Sequence, residues 1–169
     1  MRKRALATAI ALVLAAPVLA VQPEPLTPPA DIRLLDGRML KAGDLRGKVV
    51  VKLFWASWSP ASVTAVGALD DLQTIYGPQG LTAIALSIDE SERAARDSVR
   101  VHGYRIPVAM RSDALFERYG RVETTPAHVI IDRSGAIRYR GTGALDAARL
   151  QAKIAALLAE PAPMTLSGR

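Results

Sequence analysis

The chain has 169 residues and no cysteine. That absence excludes disulfides, thiolate metal sites and any chemistry performed by a thiol of this chain. Histidine is nearly as scarce. His102 and His128 are the two present, too far apart in sequence to give a metal-ligand spacing. Charge of one sign is also in short supply. Arg2, Lys3 and Arg4 belong to an N-terminal basic run; removing these three from the 22 basic residues leaves 19 against 16 acidic ones, a balance of +3. That is too mild to point to nucleic acid, and the arginines are scattered as on a solvated face. No apolar run is long enough for a comfortable membrane span: "ALATAIALVLAA" (Ala5 to Ala16) is short and Pro17 closes it. No internal repeat is present.

The N-terminal residues have instead the form of a secretory signal. A basic n-region is followed by the short apolar stretch and by Val18-Leu19-Ala20, small at the positions before a signal-peptidase cut. The expectation is cleavage after Ala20 and export to a bacterial periplasm, with an uncleaved membrane anchor as the alternative. An N-terminal lipid would need a cysteine. "VQPEPLTPPA" (Val21 to Ala30) holds four prolines in ten residues and reads as a Pro-rich linker. "EPAPMTLSGR" (Glu160 to Arg169) reads as a flexible tail. One domain lies between, residues 31–159, and half the chain's residues are apolar, enough for a core.

Extended and helical patterns alternate through that domain. "VVVKLFW" (Val49 to Trp55) is a β-prone run expected to form a central buried strand. Pro60 to Tyr76 predicts a helix with Ala65, Leu69, Leu72 and Tyr76 on one face, stopped by Gly77-Pro78. Leu81 to Ile88 predicts a second buried strand. Ser91 to Val101 predicts a charged helix capped by Ser91 or Asp89. A short extended piece (Pro107 to Met110) and a short helix (Ala114 to Tyr119) follow. Ala127 to Asp132 and Ala136 to Gly141 predict an antiparallel pair around Arg133-Ser134-Gly135. A last helix spans Leu145 to Leu158, with Leu150, Ile154, Leu157 and Leu158 on its apolar side. The early βαβ units require parallel pairing with right-handed crossovers, and the late hairpin adds antiparallel strands. The fold class is α/β, a mixed central sheet with helices on both faces.

Between the first long strand and the first helix stands "FWASWSPAS" (Phe54 to Ser62). Serine is among the best N-cap residues and proline is favoured at the first helical position, so Ser59-Pro60 is a well-made helix start. Three stretches, "DLRGKVVVKLFWASW", "GLTAIALSIDES" and "YGRVETTPAHVIIDRSGAIRYRGTG", follow in an order and spacing that resemble the thioredoxin-like superfamily. More narrowly, the chain resembles the exported TlpA/ResA-like thiol–disulfide oxidoreductases, relatives of the AhpC/TSA redoxins. The resemblance implies a three-layer thioredoxin-like fold with an N-terminal extension. It places Ser59 and Ser62 at the two cysteine positions of the family's CxxC motif. The glutamate and proline that often follow in the family fall on Ala65 and Gly67 here, so the departure extends beyond the two sulfurs.

Thiol–disulfide exchange needs a thiolate that attacks a disulfide sulfur. A serine hydroxyl stays protonated at a helix start and forms no disulfide. The expectation is therefore no catalytic residue at the degenerate positions Ser59 and Ser62, no cofactor and no metal. What the resemblance leaves is a peptide-binding groove of Trp58, Thr125 and Pro126, with Thr125-Pro126 implied to be cis and to face the Ser59 turn. A periplasmic protein or peptide would be the partner of a monomeric binding module. Two other classes stay open. One is a thiol–disulfide oxidoreductase of cell redox homeostasis or cytochrome maturation, active only if Ser59 and Ser62 replace native cysteines. The other is a hydrolase in which His128, two residues after Pro126, serves Ser59 as base.

Overall fold

A computed structural model of the protein describes residues 31–119 and 123–161, with the backbone alone at 116–118. The expected signal peptide and Pro-rich linker, and the tail beyond Pro161, lie outside the described residues. The strands are β1 (Ile32–Arg33), β2 (Met39–Leu40), β3 (Val49–Trp55), β4 (Leu81–Ser87), β5 (Val108–Met110), β6 (Ala127–Ile131) and β7 (Ile137–Thr142). The helices are α1 (Pro60–Tyr76), α2 (Glu92–His102), α3 (Asp113–Tyr119) and α4 (Ala147–Ala159).

The central sheet has the order β5-β4-β3-β6-β7. Strands β3, β4 and β5 are parallel, and β6 and β7 complete the sheet antiparallel. This is the mixed α/β architecture of the thioredoxin-like fold. The N-terminal segment, whose sequence "DIRLL" then "DGRMLKAGDLRGK" suggests a short strand, a turn and an irregular approach, adds a second strand. β1 and β2 form a small antiparallel pair, and the chain beside it reaches the β5 edge through a Leu34–Ala109 bridge. The edge that β5 would expose is thereby partly covered.

Every residue of β3 is buried. Its side chains alternate between two cores, as the period of a strand dictates. Val49, Val51, Leu53 and Trp55 join Ala65, Val66, Leu69 and Leu72 of α1, Ala95 of α2, and Leu150, Ile154 and Leu157 of α4. Val50 and Phe54 face the opposite side, with Leu115 and Tyr119 of α3 and with Ile32, Leu34 and Leu45. Lys52 also points to that second side and is buried there. Its ammonium group donates to the Tyr119 hydroxyl at 2.7 Å and sits 4.4 Å from the centre of the same ring.

Helix α1 has the bounds its sequence predicts. On its expected face Ala65, Leu69 and Leu72 are buried, while Tyr76 is half-buried. On α4, likewise, Leu158 is half-buried where Leu150, Ile154 and Leu157 are buried. Helix α4 begins two residues later than expected because the Asp146 carboxylate accepts the Arg149 amide and sets the cap there. Glu160, assigned by sequence to the loose tail, is fastened. Its carboxylate takes two bonds from Arg138, at 2.8 and 3.0 Å, and its carbonyl accepts from Arg133 at 2.9 Å. No helix among the described residues is long and apolar enough to cross a membrane.

The loop from α2 to β5 is held by one carboxylate on α1. Asp70, buried, accepts the Arg105 and Ile106 amides at 2.8 Å each and the Arg105 guanidinium at 3.0 Å. Asp70→Ala strands two amides at the core edge. It should lower the urea unfolding free energy by about 3 kcal/mol; a loss below about 0.5 kcal/mol would show that the loop is held by packing alone.

Candidate functional site

The site grows from the C-terminal end of β3. Trp55 ends the strand, and its carbonyl accepts the Ile88 amide at 2.8 Å. The chain then turns through Ala56, Ser57 and Trp58, closed by the Ser59 amide donating to the Ala56 carbonyl at 3.2 Å. Ser59 has extended backbone (φ −101, ψ 110), and its hydroxyl oxygen accepts the Ser62 amide at 3.3 Å. Pro60 follows at the first helical turn, where a missing amide is harmless. The local sequence thus makes a capped helix start without help from the rest of the fold.

The two serines do not share an environment. Ser59 is half-buried and uses its oxygen as the cap, whereas Ser62 is fully buried and its hydroxyl has no hydrogen-bond partner among the described residues. A buried unpaired hydroxyl opposes folding. The two tryptophans part in the same way. Trp55 is fully buried, with Tyr104 edge-on at 6.0 Å, while Trp58 is 69% exposed at the mouth of the turn.

Thr125 and Pro126 come to this end of the sheet through strand register. Ala127 lies opposite Phe54 on β3, so Pro126 is level with Trp55, the last residue before the turn. The Thr125–Pro126 peptide is cis. Pro126 is buried and its carbonyl accepts the Gly143 amide at 2.8 Å. Thr125 is half-buried, and neither of its backbone groups is hydrogen-bonded among the described residues.

His128 is one register step further in, opposite Leu53 on one side and Gly141 on the other. Its ring leans over Gly141, so closely that a Cβ there would overlap the imidazole. That direction is toward β7 and away from β3, and no hydrogen bond joins His128 to Ser59. The Nδ1 atom is buried without a partner among the described residues. Burial, with a smaller contribution from the Lys153 charge, holds the imidazole pKa below its ordinary value. The serine and histidine of a hydrolase are therefore not brought together as a pair. His102 is exposed and stacks on Tyr104, ring centres 5.4 Å apart. Among the described residues no cluster of His, Asp or Glu is arranged to hold a metal ion.

One residue of the site escaped the sequence reading. Asp89 is offered there as a cap for α2, but Ser91 occupies the cap position and Asp89 turns the other way. Its buried carboxylate accepts the Ser57 amide at 3.1 and 3.2 Å and the Ser57 hydroxyl at 2.9 Å. The Ser87 hydroxyl donates to it at 2.6 Å. A signal for this existed in the topology: β3 and β4 are parallel with Trp55 opposite Ser87, so the two strands release their loops side by side.

The redoxin family model matches residues 24–157. The thiol-disulfide oxidoreductase ResA of Bacillus thuringiensis (strain Al Hakam) is 30% identical over 104 residues, covering 61% of this chain and 60% of that protein. The chain thus matches about three-fifths of the length of such curated relatives. Among solved structures it is similar to a thiol:disulfide interchange protein of the thioredoxin family from Chlorobium tepidum TLS. The TM-score is 0.74 at 22% identity, over 82% of this chain and 99% of that one. A thiol-disulfide isomerase from Corynebacterium glutamicum superimposes with a TM-score of 0.70 at 25% identity, over 81% and 97% of the two chains. These relationships fix the thioredoxin-like fold.

The unlike settings of the two serines predict opposite effects of the same change. Ser59→Ala should destabilise by about 1 kcal/mol through loss of the cap, while Ser62→Ala should be neutral or stabilising, because it removes a hydroxyl that nothing satisfies. Urea titrations of both variants check this, and an equal loss at both positions would refute it. For His128, the folded-state pKa lies below the unfolded value of about 6.5. Its contribution is complete above that value and is lost as pH falls through the folded pKa. Between about pH 7.5 and 5 the wild type should therefore lose more stability than His128→Gln, measured as the difference in urea midpoints.

Proposed function

Since the chain belongs to the redoxin family but has no cysteine with which to perform that family's chemistry, we propose that it is a recognition module of the periplasm. It binds an extended segment of a protein or peptide partner and carries out no thiol–disulfide exchange. The observation that carries the reading is Trp58, a large apolar side chain held 69% exposed beside the Ser59 turn. Exposed aromatic anchors of this kind contribute a disproportionate share of binding energy at interfaces.

Thr125 supports the same reading. It lies at the same end of the sheet and leaves its backbone donor and acceptor unengaged among the described residues. An extended peptide pairs with such groups as an added strand would, its affinity coming from main-chain bonds and its selectivity from neighbouring side chains. The basic and apolar N-terminal sequence supports export.

Two measurements test the proposal. A disulfide-reduction assay on the purified protein should give no turnover above a protein-free blank. An immobilised library of extended, cysteine-free peptides should retain the wild type, with Kd raised at least about tenfold by Trp58→Ala or Thr125→Arg. Identical retention of wild type and both variants would remove the groove from the account, and turnover above the blank would remove the redox-inactive reading.

A further inference from the structure

The turn that presents Trp58 is closed by the Ser59 amide on the Ala56 carbonyl, and a second hold comes from outside it. Ala56, Ser57 and Trp58 include neither glycine nor proline, and the Ser57 amide finds no backbone acceptor. It donates instead to a side chain that lies 32 positions further along the chain. That side chain, Asp89, is buried, and both of its oxygens are spoken for. One takes the Ser57 hydroxyl, the other takes the Ser87 hydroxyl, and the Ser57 amide is shared between them. The Asp89 amide in turn donates to the Ser87 hydroxyl oxygen at 3.0 Å, closing a loop of bonds at the end of β4. The carboxylate is thus pinned from one side and grips the turn with the other. It does nothing for the helix it precedes, since Ser91 holds the cap position.

We propose that Asp89 is the positioning residue of the docking turn: by holding the amide and the hydroxyl of Ser57, it sets the direction in which the next residue, Trp58, leaves β3. The proposal rests on the reading that the Trp58 and Thr125 surface is the docking site. A charged acceptor makes stronger bonds than a neutral one and a low-dielectric setting strengthens them further. The turn is then ordered before any partner arrives, and association does not have to order it.

The Ser57 amide reports on this bond directly, because Asp89 is its acceptor. Hydrogen exchange at that amide, followed by NMR, should slow in the wild type relative to an unprotected amide. Asp89→Ala should speed it by about tenfold or more, and should broaden or shift the Trp58 indole signal. Asp89→Asn keeps the shape and one carbonyl acceptor, while its amide group can donate to Ser87. It should restore part of the protection, leaving exchange a few-fold faster than wild type. Ile154→Val, in α4 and outside the Asp89 hydrogen bonds, is the control for a general loss of stability and should leave Ser57 protection in its wild-type rank among the amides. Should Asp89→Ala fail to fold, Asp89→Asn carries the test: unchanged Ser57 exchange in it overturns the proposal, as does equal acceleration in Ile154→Val. If the turn loosens while the peptide library still retains the variant as well as the wild type, Asp89 keeps its positioning role and the docking reading fails instead.

Discussion

Strand β3 is buried on both faces from Val49 to Trp55, and the geometry of the site follows from that burial. A strand buried on both faces cannot slip by one residue without exchanging its two sets of side chains, so its register with both neighbours is strongly specified. The register with β4 puts Ser87 beside Trp55 and brings the loop of Asp89 under the turn. The register with β6 puts Ala127 beside Phe54 and brings Thr125 and Pro126 to the same end. Three stretches distant in sequence therefore meet at one strand terminus for reasons of core packing. No attraction among the site residues themselves is needed to assemble them.

Two properties that a redox centre of this fold combines are separated in this chain. One is the scaffold: a helix start at a strand end, an exposed tryptophan, and an adjacent loop with open backbone groups. The other is sulfur chemistry. The scaffold depends on hydrogen bonds and burial that serine satisfies as well as cysteine does, or better at Ser59, where a hydroxyl oxygen caps the helix. The chemistry depends on a thiolate, for which serine is no substitute. Ser62 shows that the replacement is not uniformly favourable. A thiol at a buried position behaves as a small apolar group, whereas the Ser62 hydroxyl lies there without a partner among the described residues. The Ser59 oxygen is thus well used as a cap, while Ser62 sits where an apolar group would fit better.

What was legible in the sequence is what local signals determine. The bounds of β3 and α1 could be read because an unbroken β-prone run and a Ser-Pro start with a Gly-Pro stop each speak for themselves. The split between the tryptophans was legible too: Trp55 closes a run that reads as a buried strand, and Trp58 falls beyond it in the turn, where it is exposed. Asp89, Asp70 and Lys52 were illegible in their roles, since each meets partners chosen by topology. An aspartate just ahead of a helix reads as a local cap, and Asp89 becomes something else only once β3 releases its turn beside β4. Lys52 interrupts an apolar run and gives no hint that Tyr119, in α3, will receive it.

Polar contacts stand beside apolar packing at two places on β3 and its neighbours. On the Trp58 side, Asp89 holds the turn. On one face of the sheet, Tyr119 at the end of α3 packs against Phe54. It is anchored at its hydroxyl by Lys52 of β3 and at its carbonyl by the Arg140 guanidinium of β7. Buried polar groups that are satisfied add directionality that apolar contacts lack, because a hydrogen bond fails when its geometry shifts by a fraction of an ångström while a methyl contact merely loosens. At the Trp58 turn that directionality falls on Ser57, whose amide and hydroxyl both donate to Asp89, so the geometry of the turn is tied to the end of β4 as well as to β3.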